Sequence, residues 1–297
     1  MLTPICGQEA MWYVRTRPGI VGGFVAAYGE PEVLAAYDRM MINLPTSTAN
    51  EHTLRTAQTN FDHGKLNAAG LHTHYNQDGY GDDELICYAI MPLWDMNRET
   101  GATAIVPGSH LKVQEIAASR ASRFVGEGED RKYIGQGESP AEDLESFTEN
   151  GLTPAIVNGT AGDLILFDTA LFHTGCPAED PSGAGSRSHG ADHPLRSICV
   201  LSMAPTRLVT DLKTGDGGPV MAARRRAYEM DTFIGGTVGK LYFEGSRGSD
   251  YMQETEGKPK VRDFKDAPPE VQRLVDPTWR TPAVDEAEAK ATQHARL

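Results

Sequence analysis

Apolar residues in this chain come in short bursts divided by clusters of Gly, Pro, Asp and Asn. Residues 85–93 (LICYAIMPL) have the length and apolarity of a strand, although periodicity alone does not separate this from a buried helix. Residues 95–101 carry turn chemistry, and 102–106 (ATAIV) read as a second short strand, stopped by Pro107 and Gly108. Strand patterns return at 155–157, at 164–167 behind the Gly162-Asp163 turn, and at 198–203. Residues 41–46 with their neighbours read as a strand entering a sheet. Helical patterns gather at the two ends. Residues 18–29 begin with Pro18, suited to a first helical position, and end at Gly29, suited to a C-terminal cap. Residues 32–39 (EVLAAYDR) read as a second helical piece. Later helices are expected at 219–230 and 269–275, with 111–124 (LKVQEIAASRASRF) helical inside a long insertion.

Many short strands with flanking helices predict a mainly β fold, a two-sheet barrel or jelly roll. A single domain over 1–297 is expected, with a core at about 40–206, a helical N-terminal segment at 12–39 and a C-terminal extension at 207–297. Polar stretches at 47–69, 111–150 and 178–193 are expected to form the rim, lid and mobile loop of a site. The section near 235–249 is Gly-rich, and the last dozen residues read as disordered. No internal repeat is visible.

Composition adds limits. The chain has 297 residues, 39% hydrophobic and 23% charged, enough for a sizeable core. No window approaches the roughly 18 apolar residues of a membrane span. The first residues lack the basic-then-apolar pattern of a secretion signal. The formal net charge of −13 excludes a broad nucleic-acid or anionic-membrane surface. One basic run, Arg224 to Arg226, reads as an exposed helix face or, alternatively, a clamp for an anionic group. The four cysteines form no C-x-x-C, so neither a zinc module nor a disulfide framework is expected. Cys87 and Cys199 read as buried core thiols, and a cytoplasmic location fits.

The chemistry is carried by histidines. His72 and His74 sit at i and i+2, so on a strand both face one side while Thr73 turns away. His173, after the 164–167 strand, is the natural third member of a facial metal set that leaves positions open for substrate and oxygen. His110 is expected to help fix the PGSH turn, and the remaining histidines have loop-like surroundings. Trp94, Tyr75 and Tyr80 either line a pocket or belong to the core.

In order along the chain come GLHTH at 70–74, GATAIVPGSH at 101–110, GDLILFDTALFH at 162–173 and Arg196. This series resembles the phytanoyl-CoA dioxygenase family, non-haem Fe(II), 2-oxoglutarate-dependent oxygenases on a double-stranded β-helix of cupin-like form. The resemblance covers about residues 12–206. It implies His72 and His173 as metal ligands, Arg196 as the residue that grips the far carboxylate of 2-oxoglutarate, and Thr103 as a further cosubstrate contact. Arg187 is a rival for the arginine role. Where the family has a carboxylate two residues after the first histidine, this chain has His74. Either His74 ligates, or a carboxylate such as Asp78 completes the site, or the position is open. The first is favoured. The resemblance implies Fe(II) and 2-oxoglutarate as cofactors, and O2 and a small organic molecule as partners, with hydroxylation or another oxidation as the outcome. The alternative is a cupin-like metal-binding enzyme or sensor that does not use 2-oxoglutarate. A non-catalytic binding protein is a third reading. Substrate and oligomeric state are not legible.

Overall fold

A computed structural model describes residues 9–38, 40–43, 61–62, 65–66, 73, 85–97, 100–113, 124–125, 132–133, 147, 149–176, 196–208, 218–231 and 260–279. Two helices open the chain, α1 (Glu9–Arg15) and α2 (Pro18–Tyr28). The second is the expected one. Gly29 closes it at φ 68°, a left-handed conformation that suits glycine, and its N–H donates to Val25 O at 2.8 Å.

The expected helix over 32–39 is instead a strand, β1 (Val33–Ala35), antiparallel to β12 (Arg196–Pro205). Burial decides this. Val33 and Ala35 pack with the helices, while Leu34 joins Ala204 and Met221 in a separate cluster. A segment buried on both faces suits a strand better than a one-faced helix, and helix propensity is too weak to resist. β12 is the spine of a five-stranded sheet. β1 and β2 (Met40–Asn43) pair with different stretches of it, and β5 (Cys87–Pro92) lies between it and β10 (Ile165–Asp168). A second, three-stranded sheet has the order β11 (His173–Cys176), β6 (Ala102–Ile105), β9 (Ala155–Val157). Every strand pair is antiparallel. Two small hairpins are also present, β3 (Phe61–Asp62) with β4 (Lys65–Leu66), and β7 (Phe124–Val125) with β8 (Lys132–Tyr133). Phe124 is therefore a strand residue, not the end of a helix. At the start of the same insertion, Ser109–Lys112 is a short 3-10 turn. Most of the rim, the lid and the loop at 178–193 lie outside the described residues.

The expected mainly β class with flanking helices is what the chain adopts. Alternate residues Cys87 and Ala89, and Cys199, Leu201 and Met203, pack with Met11, Trp12, Phe24, Tyr228 and Phe264 in one cluster. A second cluster joins Ile90 and Ile198 of the large sheet to Ala102, Ala104 and Cys176 of the small one. The thiols of Cys87 and Cys199 are buried as expected, and desolvation is the main cause that raises each to about 11. Among the described residues, no helix is long and apolar enough to cross a membrane.

The C-terminal extension folds back onto the sheet through α3 (Gly218–Met230) and α4 (Pro269–Val275). Arg224 makes the junction and corrects the reading of an exposed basic face. It is only 1% exposed, and its guanidinium donates to Val275 O (2.6 Å), Leu274 O (2.8 Å) and Ala35 O (2.6 Å). Two of these are terminal carbonyls of α4, which a cation satisfies in both hydrogen bonding and dipole. Arg225 pairs with the buried carboxylate of Asp276. Neither arginine is shaped as an anion clamp.

Candidate active site

The corner between β10 and β11 is tightly tied. Asp168 Oδ1 accepts from Ala170 N–H at 2.8 Å, and Thr169 N–H donates to Ile86 O at 2.8 Å. Phe172, fully buried, packs edge-on against Phe147 at 5.0 Å. The PGSH turn holds its backbone from both sides: Phe172 N–H donates to Ser109 Oγ at 2.9 Å, and Phe172 O accepts from Val106 N–H at 2.8 Å. The role expected of His110 thus belongs to Ser109. The His110 Nδ1 is buried and has no partner among the described residues.

Phe172 delivers His173 as the first residue of β11, a strand that the sequence reading missed. The ring is 7% exposed and lies 4.7 Å from the Phe167 ring. Its Nδ1 is 2.8 Å from Leu171 O. A carbonyl only accepts, so Nδ1 carries the hydrogen, and in the neutral ring Nε2 carries the lone pair. That is the tautomer a metal-binding histidine needs.

Thr73 is tied to the same corner. It is completely buried, and its hydroxyl lies 3.0 Å from Thr169 O and 2.9 Å from Ala170 O. Its neighbours His72 and His74 lie outside the described residues, as do Asp78, Tyr75, Tyr80 and Arg187. Trp94 is half-exposed and so is no core residue. Among the described residues, no three His, Cys, Asp or Glu side chains are grouped to hold a metal.

Arg196, the first residue of β12, reaches from the large sheet to the small one. Its Nη2 donates to Thr103 Oγ1 at 3.1 Å, and Thr103 is only 3% exposed. Thr103 lies opposite Gly175 in the β6–β11 register, as Ile105 lies opposite His173. The guanidinium lies across Gly175: a Cβ there would stand 3.0 Å from Nη1. His173 and Gly175, two apart on one strand, share a face. His173, Thr103 and Arg196, three residues singled out in the sequence, are thus brought to one place. Arg196 is 6% exposed, its Nε has no partner, and no carboxylate pairs with it among the described residues. Burial pushes its pKa down from 12.5 to about 10, with neighbouring Cys176 pulling the other way. At neutral pH it is a buried cation with donors to spare.

Two residues of the site escaped the sequence reading. Ser109 carries no signal beyond its place in the PGSH turn. Gly175 carries a signal only once β11 is known to be a strand, since glycine inside a strand weakens it and often marks a close approach.

No curated protein matches the chain. Several solved structures do. One is the epimerase SnoN in complex with Fe3+, alpha ketoglutarate and nogalamycin RO; it is 15% identical over 67% of this chain and 60% of that one, with a TM-score of 0.40. EctD from S. alaskensis with 2-oxoglutarate and 5-hydroxyectoine is 14% identical over 67% of this chain and 54% of that one, with a TM-score of 0.40. The non-heme monooxygenase ThoJ in its Ni complex is 16% identical over 66% of this chain and 54% of that one, with a TM-score of 0.36. The chain spans less than two thirds of the length of each. Residues 31–179, just over half of the chain, match the model of the phytanoyl-CoA dioxygenase (PhyH) family, and the chain belongs to that family.

Proposed function

We propose that this protein is an Fe(II), 2-oxoglutarate-dependent dioxygenase that hydroxylates a small organic molecule. His72, His74 and His173 are its metal ligands, and Arg196 with Thr103 is its cosubstrate anchor. The observation that carries this reading is the buried Arg196 guanidinium, without a carboxylate among the described residues, two strand positions from His173. A buried cation is costly unless its donors are satisfied. Arg224 uses its donors on carbonyls, whereas Arg196 keeps donors to spare, which supports an anion as its partner.

The residues fit the cofactors. The His173 tautomer leaves Nε2 as the donor nitrogen. Thr73, the residue between the two other histidines, has its hydroxyl engaged at the turn that leads into His173. Strand rise puts His173 and Gly175 about 7 Å apart, a span suited to a five-carbon 2-oxo diacid with one end at the metal and the other on Arg196. When bound, Fe(II) and 2-oxoglutarate supply the oxidising chemistry, with O2 and the diacid yielding succinate, CO2 and a hydroxylated product.

The chain's own residues bind and orient. Arg196 would hold the far carboxylate, and a guanidinium can do so through parallel hydrogen bonds that fix direction as well as affinity. Thr103 holds one edge of the guanidinium. Phe167 packs against the imidazole of His173 and helps fix the ring's orientation.

Equilibrium dialysis of Fe(II) against wild type, His72→Ala, His74→Ala, His173→Ala and Asp78→Ala tests the ligand set. The expected result is one tight site, lost in each histidine variant and kept in Asp78→Ala. Loss in Asp78→Ala with retention in His74→Ala contradicts the three-histidine site. Metal binding with no 2-oxoglutarate-dependent succinate formation under O2 favours the cupin-like alternative.

A further inference from the structure

Gly175 is a glycine that the backbone does not require. It is absent from the residues with positive φ, so any L-residue can adopt its conformation. In the middle of a short strand, glycine gives up side-chain packing and adds unfolded-state entropy. A side chain there would instead crowd Arg196. A Cβ at 175 would stand 3.0 Å from Arg196 Nη1, 3.5 Å from Cζ and 3.6 Å from Nη2. The guanidinium therefore rests flat against the strand, over the position opposite Thr103, where Thr103 Oγ1 accepts from Nη2.

We propose that Gly175 is a positioning residue of the cosubstrate pocket. Its missing side chain lets the Arg196 guanidinium lie against β11, two residues from His173, and so sets the depth of the pocket for a 2-oxo dicarboxylate. This rests on the function proposed above. Arg196 is confined at one end by its own strand and at the other by Thr103. A methyl group at 175 tips the guanidinium off the Thr103 hydroxyl and into the space the carboxylate uses. Arg196 cannot move further from the diacid, because the backbone of β11 is already behind it. The pocket becomes shallower, and the bidentate geometry is lost before the charge is.

The test is a double-mutant cycle on the full chain, with 2-oxoglutarate binding measured anaerobically by calorimetry in the presence of Fe(II). Gly175→Ala is expected to raise the Kd for 2-oxoglutarate about tenfold, the scale of one charge-assisted hydrogen bond lost. Its Fe(II) affinity and thermal midpoint should stay near wild type, which separates a pocket effect from misfolding. Gly175→Ala added to Arg196→Ala should cost nothing more, because no guanidinium remains to be displaced. Equal, additive losses in both backgrounds overturn the proposal and assign Gly175 to strand structure. Wild-type affinity in Gly175→Ala, with a large loss in Arg196→Ala, overturns it while leaving the proposed function standing. A wild type that binds no 2-oxoglutarate, or an Arg196→Ala that binds it unchanged, overturns both.

Discussion

Replacing Arg196 by methionine should separate stability from function with opposite signs. The guanidinium is buried, makes one hydrogen bond among the described residues, to Thr103, and has an unpartnered Nε. Lowering its pKa from 12.5 to about 10 corresponds to roughly 3 kcal/mol of penalty on the charged form. A charged hydrogen bond offsets about 1.5–3 kcal/mol of this. Methionine has similar length and no charge to desolvate, so Arg196→Met is expected to leave the ligand-free protein as stable as wild type or more stable by about 1–2 kcal/mol. The cosubstrate response should vanish. At a hundredfold excess over its Kd, 2-oxoglutarate stabilises wild type by about 2.7 kcal/mol, a rise in Tm of several degrees. Differential scanning fluorimetry under anaerobic Fe(II), with and without 2-oxoglutarate, reads both effects. A ligand-free Arg196→Met that melts well below wild type, yet still gains stability from 2-oxoglutarate, would refute the reasoning, since Arg196 would then be a structural ion and not an anchor.

Other parts of the fold make further expectations. Ser109→Ala removes the acceptor of the buried Phe172 N–H and should cost about 1–3 kcal/mol, with weaker Fe(II) binding because the backbone that delivers His173 loosens; unfolding and metal titration check this together. Arg224→Ala leaves two terminal carbonyls of α4 and Ala35 O without their donor and should cost on the order of 3 kcal/mol. Limited proteolysis should then cut first in the C-terminal extension. Cys87 and Cys199, raised to about 11 by burial, keep their protons longer when folded than when unfolded. Their contribution to stability is therefore full below pH 9 and is lost as pH rises through about 11. Chemical denaturation across that window should show the decline, and Cys87→Ser with Cys199→Ser should reduce it.

How much of this was legible depended on how local the cause was. α2, α4, β5, β6 and β10 announce themselves through caps, turns and apolar runs that need no distant partner. β1 does not, because EVLAAYDR has good helix propensity and only burial of Val33, Leu34 and Ala35 against two clusters makes it a strand. β11 is four residues with a glycine, defined by its pairing with β6. Arg224 sits in a run of three arginines that reads as a solvated face, and only the position of the α4 carbonyls buries it. At the site, His173, Thr103 and Arg196 were each readable as residue types in a motif. Their meeting was not, since it depends on the register of β11 with β6 and on a side chain reaching from the other sheet. Gly175 takes its meaning only from that meeting.

The most direct test of the central claim is an anaerobic titration of Fe(II) and 2-oxoglutarate into the metal-free protein, read by visible absorption. Wild type should develop a weak charge-transfer band from iron chelated by the 2-oxo acid. The band should be weaker in His74→Ala and in Arg196→Ala at equal ligand. A wild type without the band, while His74→Asp acquires one, would contradict the three-histidine oxygenase and mean that the native site serves other chemistry.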